Sequence, residues 1–232
     1  MAFPLLNTIL IIIITTVFLI ILYQLFFGKN KKVKKNTIII IGPSGSGKTP
    51  FFYHLIGQKN VQTVISMQIN KVQNFSSKVL SEINTYDIID IPGTGYFKEK
   101  IIEFLPFTFI ILLFIDSTQK NSIIQAAEYL YDILNSDKYS EDINLFICCN
   151  KQDNGFPKSK KMIENELNKE IENLIKIKQK NNLEEKEQIG TLFQMKGKFS
   201  FNLFSNITFL ETDIKSEYVS VIKKLKDTLE LE

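Results

Sequence analysis

Gly42-Pro43-Ser44-Gly45-Ser46-Gly47-Lys48-Thr49 has the residue types and spacing to hold phosphate. The segment fits G-x-x-x-x-G-K-[ST] without a mismatch. Gly42, Gly45 and Gly47 let the backbone turn close to an anion, and the loop's N–H groups, those of Ser44 and Ser46 included, can point inward. A helix N-terminus following the loop adds partial positive charge. Lys48 can reach β- and γ-phosphates, and Thr49 can ligate Mg²⁺. Pro50 comes next and has no backbone N–H. In this loop type that N–H faces the α-phosphate, so one α-phosphate contact is expected to be missing.

Asn150-Lys151-Gln152-Asp153 fits N-K-x-D, a guanine-reading pattern. A carboxylate at Asp153 can accept from the ring N–H and the exocyclic amine of guanine together. Adenine presents an acceptor at the ring position and would leave a buried Asp153 unpaired. The Lys151 stem can lie along base and ribose. Asp90-Ile91-Pro92-Gly93 fits D-x-x-G. Asp90 would hold Mg²⁺ through water, and the Gly93 N–H would sense a γ-phosphate. Thr63, in Gln62-Thr63-Val64-Ile65, is the candidate to close over Mg²⁺ and the γ-phosphate. The cofactors these motifs imply are GTP or GDP with Mg²⁺.

The surrounding elements place each motif at the end of an apolar run. Strands are expected at Thr37–Ile41, Tyr86–Ile91, Phe109–Ile115, Asn144–Cys149 and Ile207–Leu210. Helical spacing covers Phe51–Gln58, Ser122–Asn135, Lys158–Gln179 and Glu217–Leu229. Short apolar strands alternating with helices mean a parallel sheet covered on both faces. Ligands then bind beyond the strands' C-terminal ends. The stretch Lys180–Lys196 is polar and patternless and reads as a loose loop.

Bulk composition sets limits. The chain has 232 residues, a formal charge of +3, one histidine and two cysteines. The small charge speaks against a broad nucleic-acid face, so no direct sequence-specific nucleic-acid binding is expected. His54 alone cannot build a His-rich metal site. Cys148 and Cys149 are adjacent and point to opposite faces of a strand, so they read as buried hydrophobes rather than a redox pair.

Residues 1–28 carry no charged side chain. Leu5–Phe27 is a run of 23 residues. As a helix it would span about 34 Å, enough for a hydrocarbon core of roughly 30 Å. Thr8, Thr15 and Thr16 can bond back to helix carbonyls. Lys29, Lys31, Lys32, Lys34 and Lys35 follow directly. This asymmetry puts the following domain in the cytosol and the lysines beside the lipid bilayer. The expected organisation is a lumenal N-terminus and membrane helix over 1–28, a basic linker over 29–36 and a cytosolic domain over 37–232.

With these motifs in place, the chain resembles the beta subunit of the signal recognition particle receptor, a membrane-anchored relative of the Arf and Ras-like GTPases. The matching stretches are the anchor, GPSGSGKT, QTVIS, DIPG, FIDS, AAEYLYDIL, CNKQD, GKFSFNLF and TFLETDIK. The resemblance implies a P-loop GTPase fold with a mostly parallel central sheet and helices on both faces, preceded by one transmembrane helix. It implies residence in the endoplasmic reticulum membrane, and a receptor alpha subunit as partner in the GTP state. It implies a base-supporting loop at Asp213, Ile214 and Lys215, where the family has S-A-K, with Thr212 as a further nucleotide-binding candidate beside it. It also gives Thr94 the position where Ras-like enzymes orient water with Gln. A hydroxyl organises an attacking water less well, so slow turnover is expected. An Arf-like trafficking GTPase and a scaffold that holds GTP without cycling are the alternative readings.

Overall fold

Thr37–Ile41 (β1) is a run of β-branched residues buried along its whole length, as expected of a strand covered on both faces. In the computed structural model, which describes residues 12–20, 22, 35–58, 68–77, 81–182 and 198–230, β1 lies inside a six-stranded sheet. The other strands are Asn70–Ser77 (β2), Ser81–Asp90 (β3), Thr108–Asp116 (β4), Asn144–Asn150 (β5) and Ile207–Glu211 (β6). Their order is β2-β3-β1-β4-β5-β6. Only β2 runs antiparallel, against β3.

The helices are Lys48–Leu55 (α1), Lys98–Phe104 (α2), Lys120–Leu134 (α3), Lys160–Asn182 (α4) and Val219–Leu229 (α5). Alternation along β1 sorts its side chains between two cores. Ile39 and Ile41 pack on the face that carries α2, α3 and α4. Ile38 and Ile40 pack on the face covered by α1 and α5. Cys149 belongs to the first core and Cys148 to the second. Burial pushes the Cys149 thiol up to about 12 and raises Cys148 as well. Both are therefore inert packing residues.

Several expected boundaries shift for physical reasons. The first helix begins at Lys48 rather than Phe51, because the phosphate loop itself supplies its N-terminus, with Gly47 as the N-cap. It ends at Leu55, where Gly57 N–H donates to His54 O at 3.1 Å and Gln58 N–H to Tyr53 O at 2.9 Å. That pair of bonds caps the last carbonyls and stops the helix. The α4 helix runs on to Asn182, into the stretch expected to be a loop. β2 and α2 were not expected. β2 is a polar edge strand with Asn74 at φ 51 and a shift in register, and α2 buries only Ile101. The fold is therefore α/β with a mostly parallel sheet, as anticipated.

Residues 1–34 form a unit separate from 35–232. Within it, residues 12–20 and 22 are helical. Thr15 and Thr16 donate their hydroxyls to Ile12 O and Ile13 O, each at 2.9 Å. Most of the apolar run 5–27 otherwise lies outside the described residues. Among the described residues no helix is long and apolar enough to cross a membrane.

Candidate functional site

The chain moves from β1 to β3 on one side and then returns past β1 to β4 on the other. Strand order reverses there, and such a point opens a crevice at the strands' C-terminal ends. The loop 42–49 fills this position. Gly42 and Ser46 are buried, and Ser44 and Gly45 form an exposed tip. Gly45 and Gly47 have φ of 75° and 96°, a sequence of left-handed turns that forms an anion-binding nest. Among the described residues, the N–H groups of Gly45, Gly47, Lys48 and Thr49 have no protein acceptor, whereas Ser46 N–H donates to Pro43 O. Unpaired amides grouped in this way suit an anion carrying several oxygens.

Lys48 lies along the loop, with its Nζ donating to Pro43 O at 2.8 Å. The residue is only 5% exposed. Burial pushes its ammonium down to about 8, against an upward pull from the Asp90 charge. A buried cation short of counter-charge is a ready partner for phosphate.

Asp90 ends β3 and is fully buried. Its Oδ2 accepts from Thr49 Oγ1 at 2.9 Å and from Asn70 Nδ2 at 3.0 Å. Burial raises the Asp90 carboxyl, while bonds from Asn70 and Thr49 and the charge of Lys48 pull it back. Its Oδ1 is buried without a hydrogen-bond partner among the described residues. Among the described residues no cluster of three or more His, Cys, Asp or Glu could hold a metal alone. Two hard oxygen groups, Thr49 and Asp90, fit a Mg²⁺ that takes most of its ligands from phosphate and water. Gly93 presses its backbone on the phosphate loop, where an added Cβ would overlap Ser44 N, Pro43 C and Gly42 O. The D-x-x-G turn and the phosphate loop thus meet at a position where no side chain fits.

The loop after β5 reaches the same place from the other side. Asn150 is 3% exposed and its Nδ2 donates to Ser46 O at 2.8 Å. A side chain at Gly47 would strike that amide. Lys151 adopts φ 66 and sends its Nζ to Asp116 Oδ2 at 2.6 Å. The Asp116 carboxyl feels burial, which raises it, but hydrogen bonds from Lys151 and Thr118 and the Lys151 charge leave it below its usual value. Asp153 is mostly buried and lies 3.6 Å from Lys215 Nζ in the loop after β6. Gln152 N–H donates to Thr212 O at 3.3 Å, and Thr212 N–H to Cys149 O at 3.1 Å. Thr212 is buried, and its hydroxyl has no partner among the described residues. Asp213 serves its own turn, with Oδ1 accepting from Ser216 N–H at 2.7 Å.

Gly42, Ser44, Gly45, Ser46, Gly47, Lys48, Thr49, Asp90, Gly93 and Asn150 thus converge on one corner, and Lys151, Asp153, Thr212 and Asp213 border it. Thr63 lies outside the described residues. Thr94 is exposed and makes no side-chain cap bond to the turn it opens. Two contributing residues were not foreseen. Asp116 ends β4 as Asp90 ends β3, and that shared position was the available signal. Asn70 sits opposite Asp90 in register, which could not be read while β2 went unrecognised.

The sequence pattern of the family "Signal recognition particle receptor beta subunit" matches residues 33–207, most of the chain. The chain belongs to the signal recognition particle receptor beta subunit family. A family member from Mus musculus is 31% identical over 147 residues, covering 60% of this chain and 52% of the relative. The chain thus spans about half the length of that relative over the matched region. The Saccharomyces cerevisiae receptor subunit beta is 26% identical over 201 residues, covering 79% of this chain and 80% of its own. A chain of the mammalian receptor structure superposes with a TM-score of 0.66 at 24% identity, over 83% of this chain and 99% of that one. A Chaetomium thermophilum receptor SRb-GTP/SRX complex superposes at 0.61 and 17% identity, over 85% of this chain and 98% of that one. These likenesses show a shared fold between this chain and the beta-subunit structures.

Proposed function

We propose that the chain binds GTP or GDP with Mg²⁺ and acts as the membrane-held subunit that docks the receptor alpha subunit at the endoplasmic reticulum. The observation that carries the nucleotide reading is the 2.8 Å bond from Asn150 Nδ2 to Ser46 O. It fastens the loop that would read the base to the loop that would hold the phosphates. In this reading, Asp153 reads guanine and the Lys151 stem supports it. Thr212 and Asp213 border the base. Lys48 and the free amides hold phosphate. Mg²⁺, when bound, supplies charge neutralisation between the phosphates, held by Thr49 and, through water, Asp90. Thr63 and the Gly93 N–H close over the γ-phosphate, and Thr94 stands where a hydrolytic water would be oriented.

The membrane reading rests on the apolar run 5–27 and the lysines after it. Lys35 is held by Asp142 at 3.0 Å and by Ser140 at 2.7 Å. The chain therefore enters the sheet at the N-terminal ends of its parallel strands, opposite the phosphate loop. GTP-dependent ordering of the Thr63 and Gly93 loops would create the partner surface. The test is the affinity of the full chain, in detergent, for the purified receptor alpha subunit after loading with GDP or a non-hydrolysable GTP analogue. Tighter binding in the GTP form is expected; equal affinity in both forms sinks the docking claim.

The exposed Thr94, which makes no side-chain cap bond, favours one variation: a subunit that keeps GTP bound for long periods. Single-turnover hydrolysis at a rate no faster than that of a Thr94→Ala variant would support it.

A further inference from the structure

We propose that this chain grips its nucleotide from the β-phosphate outward and leaves the α-phosphate unread by the loop, through Pro50. The proposal rests on the guanine-nucleotide reading above. The free amides of the loop run through Thr49. Because the α-phosphate lies between the β-phosphate and the ribose, a nucleotide that spans from this loop to Asn150–Asp153 carries it from these amides toward the base-reading loop. The first backbone position on that path after Thr49 is Pro50, which has no N–H. The next residue cannot substitute, because Phe51 N–H is already committed to Gly47 O at 3.2 Å. The Thr49 hydroxyl is committed as well, to Asp90.

Proline is nevertheless compatible with this position. As the third residue of α1 it falls among the helix N–H groups that have no intrahelical acceptor. The carbonyl four residues back, Ser46 O, is taken by Asn150, so the helix loses no bond. Only a ligand would notice the missing donor. The consequence is a site whose phosphate selectivity lies in the β- and γ-positions and which is indifferent to changes at the α-phosphate.

The test uses the full chain in detergent with Mg²⁺ and isothermal titration of GDP and of the two α-thio diastereomers of GDP. For the unaltered chain, both diastereomers are expected to bind within about twofold of each other. Pro50→Ala restores an N–H and should bind GDP at least about tenfold tighter, the size of one hydrogen bond to a charged acceptor, and should separate the diastereomers. Unchanged or weaker GDP binding by Pro50→Ala overturns the proposal. So does a separation of about tenfold or more between diastereomers on the unaltered chain, a measurement that needs no variant to fold. Failure of the unaltered chain to bind GDP at all would instead remove the nucleotide reading on which the proposal stands.

Discussion

Lys151 Nζ lies 2.6 Å from Asp116 Oδ2, joining the loop after β5 to the end of β4. The Asp116 side chain is 4% exposed and that of Lys151 29%, so the carboxylate end of the pair is sheltered from the screening that weakens surface ion pairs. Asp116 also accepts from Thr118 N–H at 3.0 Å and Thr118 Oγ1 at 2.6 Å, which fixes the carboxylate before Lys151 arrives. The Lys151 stem is thereby held along the edge where a base would stack. Asp116 is a positioning residue in this account. Asp116→Asn should weaken GDP binding about tenfold, the scale of a hydrogen bond to a charged group, while the preference for guanine over adenine remains. Titrations of GDP and ADP against the variant check this; unchanged GDP affinity would remove Asp116 from the site.

Asp153 should behave differently. Its carboxylate is the group proposed to read guanine, so Asp153→Ala should lose both affinity and preference. The expected drop in GDP affinity is on the order of a hundredfold, with little change for ADP. A variant that still prefers GDP would move base recognition elsewhere in the loops after β5 and β6.

Burial of Lys48 carries a stability cost that phosphate would relieve. Its ammonium sits at about 8 in the folded chain, below the ordinary 10.5. Lys48→Met should therefore raise the thermal midpoint of nucleotide-free protein at pH 7 and abolish GDP binding. The sign also fixes a pH window. Between about 8 and 10.5 the unfolded chain holds more protons at this site than the folded one, so the Lys48 penalty shrinks as pH rises through that window. Thermal melts of the unaltered chain against Lys48→Met should converge there. A constant difference across the window would contradict the assignment.

Phosphate binding should pull that proton back. A phosphate oxygen beside Nζ favours the charged form, so GDP binding near pH 8.5 should take up protons. Calorimetry in two buffers of different ionisation enthalpy reads the uptake directly. No buffer dependence would mean that Lys48 does not meet phosphate.

Much of this fold was legible because burial on both faces forces continuous apolar runs. β1, β4 and β5 are such runs, and the residues that end β3, β4 and β5 are Asp90, Asp116 and Asn150. The phosphate loop and Asn150–Asp153 could be placed from those ends alone. β2 was not legible: Asn-Lys-Val-Gln-Asn-Phe-Ser-Ser is a polar edge strand, paired on one side only and broken in register at Asn74. Its invisibility hid Asn70, which reaches Asp90 only through strand pairing. The α2 helix escaped because a seven-residue helix with one buried side chain has too little periodicity to read. Asp116 was visible as a strand terminus, but its pairing with Lys151 depends on the left-handed backbone at 151. No local pattern announces that conformation in a lysine.

Whether this is a guanine-nucleotide site is decided by the affinity of the full chain, purified in detergent with Mg²⁺, for GDP, GTP and ATP in parallel. Micromolar or tighter binding of both guanine nucleotides is expected, with at least about a hundredfold weaker binding of ATP and loss of GDP binding in Lys48→Met. Equal affinity for GTP and ATP, or no binding of either guanine nucleotide, would contradict that reading.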